Sequence, residues 1–248
     1  MHDLAALAYD PSAWAALVTL IVLEVVLGVD NLVFVALLTN KLPVEIRARA
    51  RSIGLILALV LRLALLGCLV FLAGLTAPLF SVMGRGVSIR DLIMIGGGLF
   101  LIWKAVGEIH EHVDPSGEEK AKAAGGAATV FAMAIVQILL LDLVFSIDSI
   151  LTAVGMTDHL PIMFMAVTVA VGLMLVASGP LAAFIGRNPT VVMLALSFLL
   201  MIGMVLVADG FGVHVPKAYI YVAMGFAAAV ETLNAAARRA RRKREAGR

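Results

Sequence analysis

The stretch ALVTLIVLEVVLGVDNLVFVALLTNKLP, residues 16–43, decides the fold, because it is long and apolar enough to cross a bilayer and yet carries two acids. Some eighteen or more consecutive, predominantly apolar residues read as a transmembrane helix. An offset of 118 residues lays AIVQILLLDLVFSIDSILTAVGMTDHLP, residues 134–161, on that stretch without a gap, with eight of twenty-eight positions identical. Identities among apolar residues carry little weight. The rarer types carry it: Asp30 meets Asp148, Glu24 meets Asp142, Pro43 meets Pro161 and, further on, Gly54 meets Gly172. The chain reads as a duplication.

Working outward, the 248 residues are 62% apolar and 15% charged, with a mean hydropathy of +1.05. Soluble domains are roughly half apolar, so this composition excludes a water-soluble globule. Continuous rather than alternating apolar runs make membrane strands implausible. Seven spans follow, at about 12–38, 52–76, 89–109, 127–156, 162–186, 190–210 and 217–236. Most prolines fall at the edges of these runs, whereas Pro180, beside Gly179, is placed to kink the fifth span. The start MHDLAALAYD lacks the basic region of a removable signal peptide, so the first span is expected to stay in the mature chain. The single cysteine, Cys68, lies in an apolar run and excludes an intrachain disulfide.

Basic residues set the orientation. With the carboxyl terminus in the cytoplasm and the amino terminus outside, fifteen Lys and Arg fall inside and three, Arg85, Arg90 and Lys217, outside. Seven of the inside residues crowd the tail from Arg238 to Arg248. In a membrane protein that tail reads as a topology signal held to anionic lipid, not as a nucleic-acid arm. The expected organisation is an all-α membrane protein with a first three-helix repeat (1–109), a cytoplasmic linker (110–126), a second repeat (127–210), a seventh transmembrane helix (211–236) and a basic cytoplasmic tail (237–248). Three spans per repeat is an odd number, so the second copy is expected upside down relative to the first.

Each repeat opens with an acid, five intervening residues and a second acid followed by a small polar residue: Glu24 to Asp30-Asn31, then Asp142 to Asp148-Ser149. A charge at mid-bilayer costs on the order of 3 kcal/mol by insertion scales, so four cost about 12, comparable with the whole stability of a typical domain. Such acids face a protein interior or a wet cavity. The bland alternative is protonated acids hydrogen-bonded between helices. Six positions of straight helix separate the two acids of a repeat by a rise of about 9 Å and a rotation of about 240°. Inversion then puts Asp148 at the depth of Glu24 and Asp142 at the depth of Asp30, as two carboxylate storeys. A break at Gly28-Val29 would instead let Asp30 and Asp148 meet at the centre.

Carboxylates with Asn31 and Ser149 oxygens, and no Cys or His in the motif, suit hard divalent ions such as Mn²⁺, Mg²⁺ or Ca²⁺. Metal ligands must be deprotonated, which makes metal-for-proton exchange physically natural. Arg62, mid-span, is expected to pair with one of the acids as a counter-ion. Glu231 and Asn234, three apart on one face of the seventh span, would either face the cavity or join helices. Glu108, His110, Glu111, His112 and Asp114 would gather metal at the cytoplasmic mouth or simply form a solvated helix end. No hydrolase is expected: the spans hold no Ser, Cys or His nucleophile set at suitable spacing and no His-Glu-x-x-His pattern.

The strings LEVVLGVDNLVFVALLTNKLP, GGGLFLIWKAVGEIHEH, LDLVFSIDSILTAVGMTDHLP and FGVHVPKAYIYVAMGFAAAVETLN resemble the TerC family of integral membrane proteins, closest to its YgdQ-like branch, over about residues 10–236. The resemblance implies a multi-pass protein of the bacterial inner (plasma) membrane and membership of a superfamily of small exporters. Manganese efflux is attributed to several members, with an older link to tellurite resistance. Other members supply metal to secreted enzymes beside the secretion machinery. The family's metal role maps onto Asp30, Asp148, Glu24 and Asp142. Two functions therefore stand: a Mn²⁺ exporter, or a non-transporting membrane partner that supplies metal to, or assists, secreted proteins. The expected partners are the lipid bilayer and a divalent metal ion, with a homo-oligomer or a secretion-machinery partner left open and no nucleic acid.

Overall fold

A computed structural model describes residues 10–68, 78–82, 85–113, 127–154, 156–157 and 159–246. Its helices are α1 (Pro11–Asn40), α2 (Val44–Gly67), α3 (Ile89–Val113), α4 (Ala127–Val154), α5 (Leu160–Arg187), α6 (Pro189–Gly210) and α7 (Lys217–Ala246), with a short hairpin, β1 (Pro78–Val82) and β2 (Arg85–Ser88), ahead of α3. All seven helices contain a stretch long and apolar enough to cross a membrane.

Local chemistry places the helix ends. The Asp10 carboxylate accepts from the Ser12 amide at 2.9 Å, with Pro11 opening α1. Ser88 and Asp91 cap α3 reciprocally: the Ser88 amide donates to the Asp91 carboxylate at 2.9 Å and the Asp91 amide to the Ser88 hydroxyl at 3.2 Å. After α6, Gly212 turns the chain at φ 76°, a conformation that favours glycine.

Three expectations shift. The second helix starts at Val44 rather than near 52, because backbone hydrogen bonding runs through Glu45, Arg47, Arg49 and Arg51 regardless of their charge. Its described part ends at Gly67, and residues 69–76 of the expected span lie outside the described residues. The β1–β2 pair was not expected; it is antiparallel, with Ser81 opposite Gly86, and the signal lay in two short runs separated by two residues, one a glycine. The seventh helix continues through the basic stretch to Ala246 instead of ending near 236. The fifth helix runs on through Pro180. Most of the linker, residues 114–126, with Asp114, lies outside the described residues.

The bundle is held mainly by α3 on α6, α1 on α5 and α2 on α4, while α7 packs chiefly on α6. Where α3 crosses α6 the backbones nearly touch: a Cβ on Gly98 would sit 2.6 Å from the Gly203 carbonyl oxygen. Small residues of this kind let membrane helices pack closely, where apolar burial gives no drive. The outer faces carry large apolar side chains, among them Val18, Val22 and Val26 on α1 and Tyr219, Val222 and Phe226 on α7. Such stripes suit lipid rather than water.

Candidate functional site

The polar centre of the bundle is built from three helices. Glu24 comes from α1, Arg62 from α2 and Asp142 from α4, and they are 1%, 3% and 3% exposed. At that burial none can rely on water for its charge. The Arg62 guanidinium spans the two acids, Nη1 to Glu24 Oε2 at 2.6 Å and Nη2 to Asp142 Oδ1 at 2.7 Å. Its Nε donates to the Ser146 hydroxyl at 3.0 Å, which in turn donates to Asp142 Oδ2 at 3.1 Å. Asn31 donates its amide to Asp142 Oδ1 at 2.9 Å. Ser149, also buried, donates its hydroxyl to the Ser146 carbonyl at 3.4 Å.

Arg62 thus pairs with both acids rather than one. Straight-helix geometry put Glu24 and Asp142 on separate levels, yet a single guanidinium reaches both. Helix α1 is continuous through Gly28-Val29, so the break that would unwind it there does not occur. Asp30 and Asp148 sit within α1 and α4, and their side chains lie outside the described residues.

The network is not saturated. Among the described residues Glu24 Oε1 and Asn31 Oδ1 are buried with no hydrogen-bond partner. An orphaned buried acceptor is costly and calls for a ligand, a water or an ion. The donor set is all oxygen, from carboxylates, an amide and hydroxyls, and fits a hard cation. Among the described residues no three His, Cys, Asp or Glu side chains gather as a metal cluster. The two described acids are instead held by Arg62, which sits where positive charge is needed.

Ser146 was missed by sequence reading. It lies one turn beyond Asp142 on the same helix face, but Gly28 occupies the matching place in the first copy, so a comparison of the copies hides it. The same offset puts Pro180 opposite Arg62, which leaves one cation for two acid motifs.

The remaining candidates sit elsewhere. Glu231 accepts from the Thr190 hydroxyl at 2.6 Å and pairs with Arg238 at 2.5 Å, joining α7 to the start of α6. Asn234 is exposed beside it. Neither reaches the central acids, because α7 packs on the flank of the bundle. Glu108 pairs with Lys41 and with Lys104, the latter at 2.7 Å, and Glu111 pairs with Lys41 at 2.5 Å. Lysines hold these acids.

Comparison with known proteins gives one family. The profile of the integral membrane protein TerC family matches residues 9–246. The chain is 52% identical to the UPF0053 inner membrane protein YgdQ of Escherichia coli K12 over 225 residues, 91% of this chain and 93% of YgdQ. It is 52% identical over 230 residues to the UPF0053 inner membrane protein YoaE of the same strain, covering 93% of this chain but 44% of YoaE. Likewise it is 52% identical to the UPF0053 protein YegH of Shigella flexneri, covering 91% of this chain and 42% of that protein. The chain therefore spans less than half the length of YoaE and YegH. No solved structure matches.

Proposed function

This chain belongs to the TerC family of integral membrane proteins, and on that premise we propose that it is a transporter of divalent metal cations, an exporter of Mn²⁺, resident in the inner membrane. The observation that carries the proposal is the buried Glu24–Arg62–Asp142 network with its two spare oxygens. Buried ionisable groups between membrane-spanning helices mark ion and proton pathways.

Charge gives the mechanism. Two carboxylates and one guanidinium sum to −1, which suits a resting state with no ion. When Arg62 swings away the pair is −2, the complement of a divalent cation. Arg62 then acts as a tethered stand-in for the cargo, and Glu24 Oε1 and Asn31 Oδ1 become ligands. Asp30, Asp148 and Ser149 complete the proposed oxygen path, and proton return on the carboxylates drives the exchange.

An inverted repeat supplies alternating access. Under the offset of 118 residues α1 maps on α4 and α2 on α5, so α1 on α5 and α2 on α4 are one contact seen from each copy. Orientation is proposed from the basic residues, with the carboxyl terminus cytoplasmic.

Proteoliposomes holding only this protein test the proposal. Mn²⁺ uptake into vesicles, lost in Asp142→Asn and Glu24→Gln, is the expected result. Metal bound without flux would replace the transporter with the metal-supplying partner, and flux indifferent to a proton gradient would remove the coupling. Mg²⁺ or Ca²⁺ carried in preference would change the cargo.

A further inference from the structure

A cavity of about 790 Å³ opens at the end of the bundle where α1 finishes and α2 begins. Among the described residues its charged wall is Lys41, Arg47 and Arg51 against the one carboxylate of Glu108. Glu108 is already taken by Lys41 and Lys104. Arg47 donates its Nε to the Leu42 carbonyl at 2.6 Å, which leaves the terminal nitrogens of its guanidinium for another acceptor. Arg51 is partly buried with no carboxylate or hydrogen-bond partner among the described residues. A partly desolvated guanidinium without a counter-ion favours an anion beside it, and the cavity's described wall is net positive. A wall of this sign would also hold a divalent cation off, which sets the cavity apart from the proposed cation path.

The opposite wall is apolar and leads somewhere. Leu37 and Ile185 line this cavity and also a second one of about 310 Å³. The second runs along α1 past Val33 to Val29, against α6, and is closed by Met224 and Gly225 of α7. From Lys41 to Val29 is about 18 Å of helix, close to the roughly 15 Å of hydrocarbon in one leaflet. A cationic head end joined through shared walls to an apolar slot one leaflet deep is the complement of a lipid.

We propose that these two cavities form the seat of one anionic phospholipid, its phosphate against Arg47 and Arg51 and one acyl chain in the slot between α1, α6 and α7. Basic pockets between membrane helices bind lipid headgroups in this way. The seat also gives α7, which otherwise packs chiefly on α6, a second attachment to the bundle.

The test is native mass spectrometry of the delipidated full-length chain, titrated with phosphatidylglycerol, phosphatidylethanolamine or inorganic phosphate. Phosphatidylglycerol is expected to bind one per chain ahead of phosphatidylethanolamine, with Arg51→Ala weakening it about tenfold, as loss of one charge-assisted bond implies. Gly225→Phe, where an added Cβ meets nothing within 4 Å, should weaken it too without lowering the lipid-free melting temperature. Equal binding of the two lipids, or no effect of Arg51→Ala, would overturn the proposal. Inorganic phosphate binding as tightly as the lipid, with Gly225→Phe silent, would make the cavity a seat for a free anion and overturn the lipid assignment.

Discussion

Removing the guanidinium at the centre by Arg62→Ala leaves Glu24 and Asp142 facing each other, 1% and 3% exposed, with nothing between them. Breaking a buried ion pair by deleting one partner costs about 3–5 kcal/mol, a large share of a total stability of about 5–15 kcal/mol. For a chain of this length each kcal/mol shifts the melting temperature by roughly 2–4 °C, so a fall on the order of 6–20 °C is expected. Added cargo should favour the variant more than the wild type. A cation at a hundred times its dissociation constant returns about 2.7 kcal/mol, and in the variant it meets two uncompensated carboxylates. In the wild type it must first displace Arg62. Thermal unfolding in detergent with and without Mn²⁺ reads both effects: the variant should melt lower without metal and gain more than the wild type with it. If Arg62→Ala melts lower but gains no more than the wild type from Mn²⁺, Arg62 is a structural strut and the stand-in mechanism is refuted. Unchanged melting without metal would refute the burial argument as well.

Ser146→Ala strands Arg62 Nε and one Asp142 oxygen without their shared hydroxyl, and a loss of about 1–3 kcal/mol is expected in the same melt. Gly98→Val should cost about 1–3 kcal/mol or more through overpacking, since the added Cβ would lie 2.6 Å from the Gly203 carbonyl oxygen and 2.9 Å from the Val207 amide nitrogen. Gly96→Ala, with nothing within 4 Å, should be neutral or gain about 0.5–1 kcal/mol as a helix substitution; a reversed order between these two would contradict the α3–α6 crossing. Burial opposes the charge of Lys41, but hydrogen bonds and attraction from Glu108 and Glu111 outweigh it and hold the ammonium above the ordinary lysine value of 10.5. Its contribution is therefore complete below pH 10.5 and fades as pH rises through the higher folded value. The melting difference between wild type and Lys41→Met, well under 1 kcal/mol after solvent screening, should be level from pH 7 to 10 and shrink above that, and a difference that grows with pH would refute the pairing.

Much of the candidate site was legible in the residues themselves. Glu24 and Asp142 are rare types in runs where lipid tolerates no idle charge, so composition alone marks them, and Arg62 stands out for the same reason. Their meeting was not legible. Straight-helix geometry measures rise between backbone positions, whereas the distance between charges depends on how far long side chains reach across a crossing, and that is set by α1, α2 and α4 packing together. Ser146 escaped because a serine on an apolar helix is unremarkable until a guanidinium from another helix arrives. For Glu231 both alternatives stood open, because local spacing fixes its helix face whereas the neighbour of that face, Thr190 of α6, is set by packing.

The chain by itself determined the seven membrane crossings, their rough limits and the duplicated acid motif, because hydropathy and helical rise are local properties that need no partner. Tertiary structure alone decided that one arginine spans two acids, that two of the site's oxygens find no donor among the described residues, and that a cationic cavity and an apolar slot share a wall. Each of those depends on which helices touch, and side chains far apart in sequence come within bonding distance only once the helices have packed.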